Sequence, residues 1–230
     1  MSNRVIAFLP CRLGSQRVPR KNIKPFAGIP FGLVQIKLTQ LLHCSSLDSV
    51  VLSTNDAEII NYARSLDNSR LTVHIRSEAL CSSETSTDDL VAHAADLIPS
   101  GHILWTHVTS PFVTALHYED IVKAYFERLN KGSDSLMSVT CLQSFLWQDG
   151  ESFNYSRQNE KWPRTQTLKP LYEVNSSAFL ASSDIYQGMN DRIGRYPYLY
   201  EMDKLTSYDI DWPEDFLVAE CLLEKGLVTL

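Results

Sequence analysis

Residues 4–10, RVIAFLP, form a short apolar run that ends in proline and opens into a polar loop with a single glycine. That pattern suits a buried parallel strand feeding a ligand loop. FGLVQIKLTQLL (31–42) then places apolar residues at helical spacing, SVVLST (49–54) reads as a second strand, AEIINYARSL (57–66) as a second helix, and LTVHIR (71–76) as a third strand. TSTDDLVAHAADLI (85–98) sets Thr and Ser ahead of acidic residues, the signature of a helix N-terminus, and HILWTHV (102–108) follows as a strand. YEDIVKAYFERLN (118–130) and SDSLMSVTC (133–141) supply one more helix and strand. Strands alternating with helices up to residue 141 predict an α/β fold: a doubly wound, mostly parallel sheet with helices on both faces.

The rhythm breaks in QDGESFNYSRQNEKWPRTQTLK (148–169), which is polar, carries charge of both signs and has no clear period. LYEVNSSAFLAS (171–182) resumes a strand, SSDIYQGMN (182–190) reads as a short helix, and WPEDFLVAECLLEKG (212–226) as a terminal helix that Pro213 starts in its first turn. There is no internal repeat or low-complexity tract. The expectation is one domain over residues 1–230, with an inserted arm at about 142–200.

Composition narrows the function. At 230 residues and 44% hydrophobic, the chain can bury one substantial core. A net charge of −6 argues against nucleic acid as a partner, because such binders rely on widespread cationic surface. Five widely spaced cysteines with no CxxC pair read as reduced thiols of a cytoplasmic protein rather than zinc ligands or a redox dithiol. No apolar run approaches the roughly 18 residues of a membrane span, and Val5 to Pro10 is too short for a signal-peptide core, so no membrane partner is expected.

Against this acidic background, LPCRLGSQRVPRKN (9–22) gathers Arg12, Arg17, Arg20 and Lys21 beside Gly14. The spacing fits neither GxxxxGK[ST] nor GxGxxG, which excludes a Walker A loop and a dinucleotide fingerprint. What remains is a loop that could hold a triphosphate through backbone N–H groups near Gly14 and Ser15 together with Arg12, Arg17 and Lys21. A solvated basic turn is the alternative.

The same stretch resembles the N-terminal signature of the acylneuraminate (CMP-sialic acid) cytidylyltransferases, approximately P-A-R-x-x-S-K/Q-x-x-P-x-K-N, with Cys11 in place of the usual alanine. Four further stretches extend the resemblance in the family's order over nearly the whole chain: LSTND (52–56), RSEALCSSETST (76–87), HVTSPF (107–112) and SYDIDWPEDF (207–216). The resemblance implies a Rossmann-like nucleotidyltransferase fold and a reaction of CTP with an acidic 2-keto sugar, a nonulosonic acid, giving a CMP-sugar and pyrophosphate. It implies that Arg12 and Lys21 contact phosphate and act in catalysis, that Gly14, Ser15 and Asn22 assist them, and that Arg76 and Ser82 belong to the nucleotide site.

On a strand, Asp209 and Asp211 would point to one face, as a shared Mg²⁺ site needs, with Asp211 also catalytic. A DxD in a strand-end turn is the plainer reading of that triplet. His107 stands where the family commonly has a sugar-contacting glutamine, beside Thr109 and Ser110 at the predicted strand mouth; a lone strand-end histidine is otherwise most often structural. PRTQ (163–166) resembles a P-R-x-Q stretch and offers Arg164 and Gln166 to the acidic sugar, an exposed arm arginine being the alternative.

The departures gather on the sugar side. YEVNSSAF keeps Asn175 of the family's R-P-N-G-A-x-Y but loses the arginine and the glycine, and the lysine often found after the fifth strand has no counterpart. A Kdo-type or sugar-phosphate nucleotidyltransferase, or a non-catalytic nucleotide or sugar sensor, are the competing functions. The large aromatics of 142–200 and the resemblance together imply a homodimer, with residues near Arg195 to Tyr198 approaching the partner's acceptor pocket.

Overall fold

Strand β1 (Val5–Pro10) is buried on both sides, and its side chains divide between two cores as a strand's period of two requires. Val5, Ala7 and Leu9 enter one cluster, Ile6 and Phe8 the other. This computed structural model describes residues 3–82 and 84–230. In chain order α1 (Gly32–His43), β2 (Ser49–Thr54), α2 (Ala57–Ser65), β3 (Leu71–Ile75), α3 (Thr87–Leu97), β4 (His102–Trp105), α4 (Ala115–Leu129) and β5 (Ser135–Leu142) follow, each where the sequence pattern predicts it. The remaining elements are a small hairpin of β6 (Trp147–Gln148) and β7 (Glu151–Ser152), then β8 (Leu171–Ser182), α5 (Ser183–Met189), β9 (Pro197–Glu201) and α6 (Pro213–Glu224).

Seven strands form one sheet in the order β3-β2-β1-β4-β8-β5-β9. The pairings of β1 with β2 and β4, of β2 with β3, and of β5 with β9 are parallel, whereas β8 runs antiparallel between β4 and β5. Helices α1, α2, α4 and α6 cover one face and α3 and α5 the other. The chain steps from β1 outward to β2 and β3, then returns to β4 on the far side of β1. Ligands of open α/β sheets bind at such a reversal, beyond the carboxyl ends of the strands, where the loops after β1 and β4 lie side by side.

Two local features shape that end of the sheet. Gly32 opens α1 at φ +47°, and a Cβ there would lie 1.9 Å from the Lys24 carbonyl oxygen, so only glycine lets the helix start against the segment leaving the β1 loop. On β8, register jumps from Met137↔Phe179 to Val139↔Val174, leaving Asn175–Ala178 as a bulge, with Ser176 in the left-handed region at φ +57°.

Within the stretch expected to form an arm, residues 143–170 leave the sheet while β8, α5 and β9 are part of it or pack on it. The β6–β7 hairpin turns through Asp149 and Gly150, both at positive φ, the Asp-Gly turn that matches strand twist. Its aromatics pack on one another: Phe145 meets Tyr155 and Trp162 edge-on, and Arg157 lies over the rings of Trp147 and Trp162. Trp147, Phe153 and Trp162 nonetheless stay about half exposed.

Candidate active site

The loop after β1 is held in shape largely by backbone bonds, which leave Arg12 and Lys21 free to face inward. Cys11 N–H donates to the Ser53 carbonyl (2.9 Å), Leu13 N–H to Asn55 Oδ1 (2.9 Å), and Asn22 Nδ2 to the Arg12 carbonyl (3.0 Å). Gly14 turns at φ +85°. Asn55 thus serves the loop, and the adjacent Asp56 caps α2 by accepting from the N–H groups of Glu58 and Ile59. Arg20 pairs with Glu58 on the exposed outer side. Burial pushes the Cys11 thiol up to about 12, so it sits in the loop as a small apolar residue.

Lys21 and Arg17 turn toward the far end of the chain. Lys21 Nζ donates to Asp211 Oδ1 (2.9 Å) and to the Ile210 carbonyl (3.0 Å), and Arg17 Nη1 donates to Asp211 Oδ2 (2.8 Å). Burial alone would raise the Asp211 carboxyl, but Lys21 and Arg17 outweigh it and hold its pKa below the usual aspartate value. Ile210 N–H in turn donates to the Thr109 carbonyl (2.8 Å), and Asp215 Oδ2 accepts from the N–H groups of Asp211 and Trp212. Residues 208–211 form no strand of the sheet, correcting the expectation that the DxD pair lies on one.

A cavity of about 320 Å³ opens between the β1 and β4 loops, walled by Arg12, Ser15, Lys21, Asn22, Arg76 and His107, with Arg17 and Thr109 at its sides. Arg76 is buried and aimed there by Ser53, whose hydroxyl and carbonyl accept from its Nε (3.0 Å) and Nη2 (2.6 Å). Trp105 Nε1–H donates to His107 Nε2 (3.0 Å), which leaves the neutral ring's proton on Nδ1. Burial, then the nearby cations Arg192 and Lys21, push His107 down to about 4, so the ring is a neutral donor at ordinary pH.

A second cavity of about 390 Å³ is lined by residues 207–209, where Asp209 and Asn175 share walls with Glu173 and Lys204. The Asn175 amide is spent internally: Oδ1 accepts from Ser138 Oγ (2.6 Å) and Ser177 N–H (3.2 Å), and Nδ2 donates to Thr140 Oγ1 (3.0 Å). It shapes the β8 bulge as well as facing the cavity. Burial raises the Asp209 carboxyl, Thr109's hydroxyl bond offsets part of this, and the charge of Asp211 adds to it. Asp209 Oδ1 is buried with no hydrogen-bond partner.

Other expected residues lie elsewhere. Ser110 is fully buried, with no partner for its hydroxyl; Ser82 is exposed near Thr85, beside the Cys81 carbonyl that Arg12 Nη1 touches at 3.4 Å. Arg164 and Gln166 are exposed around a short 3₁₀ turn and line neither cavity. Sequence reasoning missed Glu173, Lys204 and Arg192. The Arg192 guanidinium lies 3.7 Å from the centre of the Phe179 ring and 5.3 Å from that of Trp105, and nothing in its surroundings of Asn, Asp and Ile signalled this.

Among the described residues no group of three or more His, Cys, Asp or Glu side chains is arranged for a metal. The hard oxygens nearest to such a role are the orphaned buried Oδ1 of Asp209 and the two Asp211 oxygens, which here accept from Lys21 and Arg17; two carboxylates could hold a divalent cation only with phosphate or water completing its coordination. Nor is any described helix long and apolar enough to cross a membrane.

With this geometry in view, known proteins give a consistent comparison. The curated relatives include a pseudaminic acid cytidylyltransferase of Campylobacter jejuni, 25% identical over 94% of this chain and 95% of its own length. They also include N-acylneuraminate cytidylyltransferase B of Danio rerio, 30% identical over 93% of this chain but 50% of that longer protein. Among solved structures, a CMP:2-keto-3-deoxy-manno-octonic acid synthetase complexed with CTP superposes with a TM-score of 0.67 at 13% identity, covering 97% of this chain and 99% of the other. A 4-diphosphocytidyl-2C-methyl-D-erythritol synthase of Anaerococcus prevotii gives 0.67 at 12% identity over 96% of both chains. These two likenesses show the fold. The sequence model of the family described as cytidylyltransferase matches residues 6–228, and the chain is a member of that enzyme family.

Proposed function

We propose that this enzyme transfers the cytidylyl group of CTP to a nonulosonic acid, giving a CMP-sugar and pyrophosphate. The observation that carries the reading is the cavity after β1, where Arg12, Lys21 and Arg76 converge beside the Asp209–Asp211 segment. Arg12, Lys21, Asn22 and the N–H groups near Gly14 and Ser15 would hold the triphosphate and spread its charge, as transfers to phosphorus require. Asp209 and Asp211 would hold Mg²⁺, and Asp211 remains a carboxylate at neutral pH because Lys21 and Arg17 favour its charged form. Bound there, the ion would neutralise phosphate charge and make the acceptor hydroxyl easier to deprotonate.

The acceptor reading rests on the relatives' names and on the second cavity. Lys204 is the cation on that cavity's wall and His107 Nδ1–H a neutral donor on the first, a combination suited to a carboxylate and to sugar hydroxyls. Arg164 and Gln166 would reach a sugar only in an assembly, since they line neither cavity of one chain. All five cysteines are free, which supports a reducing compartment such as the cytoplasm. The exposed aromatics of the 143–170 excursion and Tyr196, which is 69% exposed, support a homodimer that covers them.

Three outcomes test this. In a CTP-dependent pyrophosphate-release screen over N-acetylneuraminic, legionaminic and pseudaminic acids, Kdo and hexose 1-phosphates, a nonulosonic acid should give the fastest turnover; activity confined to a hexose phosphate would overturn the assignment, and none at high enzyme concentration would favour a sensor. Asp211→Ala should lower turnover about a hundredfold or more while the protein still melts cooperatively, and near wild-type turnover in Mg²⁺ would remove the metal role. Light scattering should give about twice the 26.1 kDa chain mass, and a fully active monomer would exclude the shared-site arrangement.

A further inference from the structure

Lys37 sits in the middle of α1, fully buried, with no carboxylate of the described residues paired with it. A lone ammonium in a protein core is costly unless all its donors are used, and here all three are. Nζ donates to the carbonyls of Ser110 (2.8 Å) and Val113 (3.2 Å) and to the Tyr118 hydroxyl (2.8 Å). Burial holds the pKa of Lys37 well below the ordinary lysine value. One turn further along α1, Gln40 Nε2 donates to the Pro111 carbonyl (2.6 Å). Two side chains of one helix thus bind three carbonyls of the loop after β4.

The contacts continue in both directions. The Thr106 hydroxyl donates to the Ser177 carbonyl (2.8 Å), so the bond between Tyr118 and Thr106 (2.7 Å) is donated by Tyr118, and the Tyr118 oxygen is left to accept from Lys37. That line runs from α1 through α4 and the end of β4 to the β8 bulge. On the other side, the Thr109 carbonyl accepts from Ile210 N–H (2.8 Å), fixing the segment that carries Asp209 and Asp211. The helix itself is tied to the phosphate loop through Val34 N–H, which donates to the Asn22 carbonyl (2.9 Å).

We propose that Lys37 is a positioning residue for cytidylyl transfer: it touches no reactant, and it sets the loop of residues 106–113, and through Thr109 the Asp209–Asp211 segment, in register with the phosphate loop. An apolar residue of the same length would fill the space without the three directional bonds. The loop after β4 would then keep only the Gln40 bond to Pro111 as its side-chain tie to α1, while Arg12 and Asn22, held by separate contacts, would keep theirs.

This rests on the cytidylyltransferase reading for its kinetic arm only, so the test has a second arm that needs no substrate. In Lys37→Met, amide hydrogen exchange at Ile210 and across 106–113 should quicken about tenfold or more, while residues 20–34 exchange as in the wild type. With CTP and whichever acid the wild type turns over, KM for CTP should stay within about twofold, whereas kcat/KM for the acid should fall about tenfold or more, and Lys37→Arg should recover part of it. Unchanged exchange at Ile210, or an equal loss of both substrates' affinities, would overturn the proposal. If Lys37→Met does not fold, Tyr118→Phe, which removes both the Lys37 bond to Tyr118 and the link to Thr106 while keeping the lysine, decides it by the same two measurements: quickened exchange at 106–113 with the same kinetic split supports the proposal, and wild-type behaviour overturns it. Absence of wild-type turnover with every acid would count against the function and leave the exchange arm to judge Lys37.

Discussion

One carboxylate, Asp211, joins the two ends of this chain. It accepts from Arg17 and Lys21, 194 and 190 residues earlier, and so makes the ion pairs that join the loop after β1 to the segment before α6. The pair is partly exposed, so its net contribution to stability is small and screened by salt. Its importance lies in position. Lys21, mostly buried and also bound to the Ile210 carbonyl, faces the cavity with Arg12 and Arg76 while gripping the aspartate that belongs to the candidate metal site. A site built this way holds its charges in readiness at low cost.

The surrounding fold exists to hold those loops in register. Parallel pairing of β4 with β1 puts their carboxyl ends side by side, and Gly32 brings α1 in against Lys24 with no room for a side chain. From there buried polar contacts take over. Ser53 aims Arg76, Asn55 holds Leu13, Asp215 fixes the two amides before α6, and α1 reaches the β4 loop through Lys37 and Gln40. Each of these side chains makes at least one named bond that fixes its direction, and Gln40 Oε1 is an atom among them buried without a partner in the described residues.

Much of this was legible in the sequence, and the limits have physical causes. Strand and helix positions followed from periodicity, and the cation-rich loop after β1 from three features together: an apolar run, one glycine and four cations in an acidic chain. Strand direction is a tertiary property, so nothing in LYEVNSSAFLAS showed that β8 runs antiparallel or that Asn175 turns its amide into a bulge. The Asp-Gly pair of the β6–β7 hairpin was readable as a turn but was submerged in a polar stretch. Lys37 and Gln40 sit on a helix whose apolar pattern gave no reason to expect polar groups in the core, and the pairing of Lys21 with Asp211 spans too much sequence for any local pattern to reveal. Arg164 and Gln166 resemble sugar-binding residues yet lie in the open, because similarity of a short stretch carries no information on where an excursion from the sheet folds back.

The central claim is that the loop after β1 gathers its cations to hold a triphosphate. Calorimetric titration of the wild type and Arg12→Ala with CTP and with CMP tests it directly. The account predicts that the wild type binds CTP at least about a hundredfold more tightly than CMP, and that Arg12→Ala loses most of that difference while its CMP affinity is kept. Equal affinity of the wild type for the two nucleotides, or an Arg12→Ala variant that still prefers CTP by the wild-type margin, would contradict it.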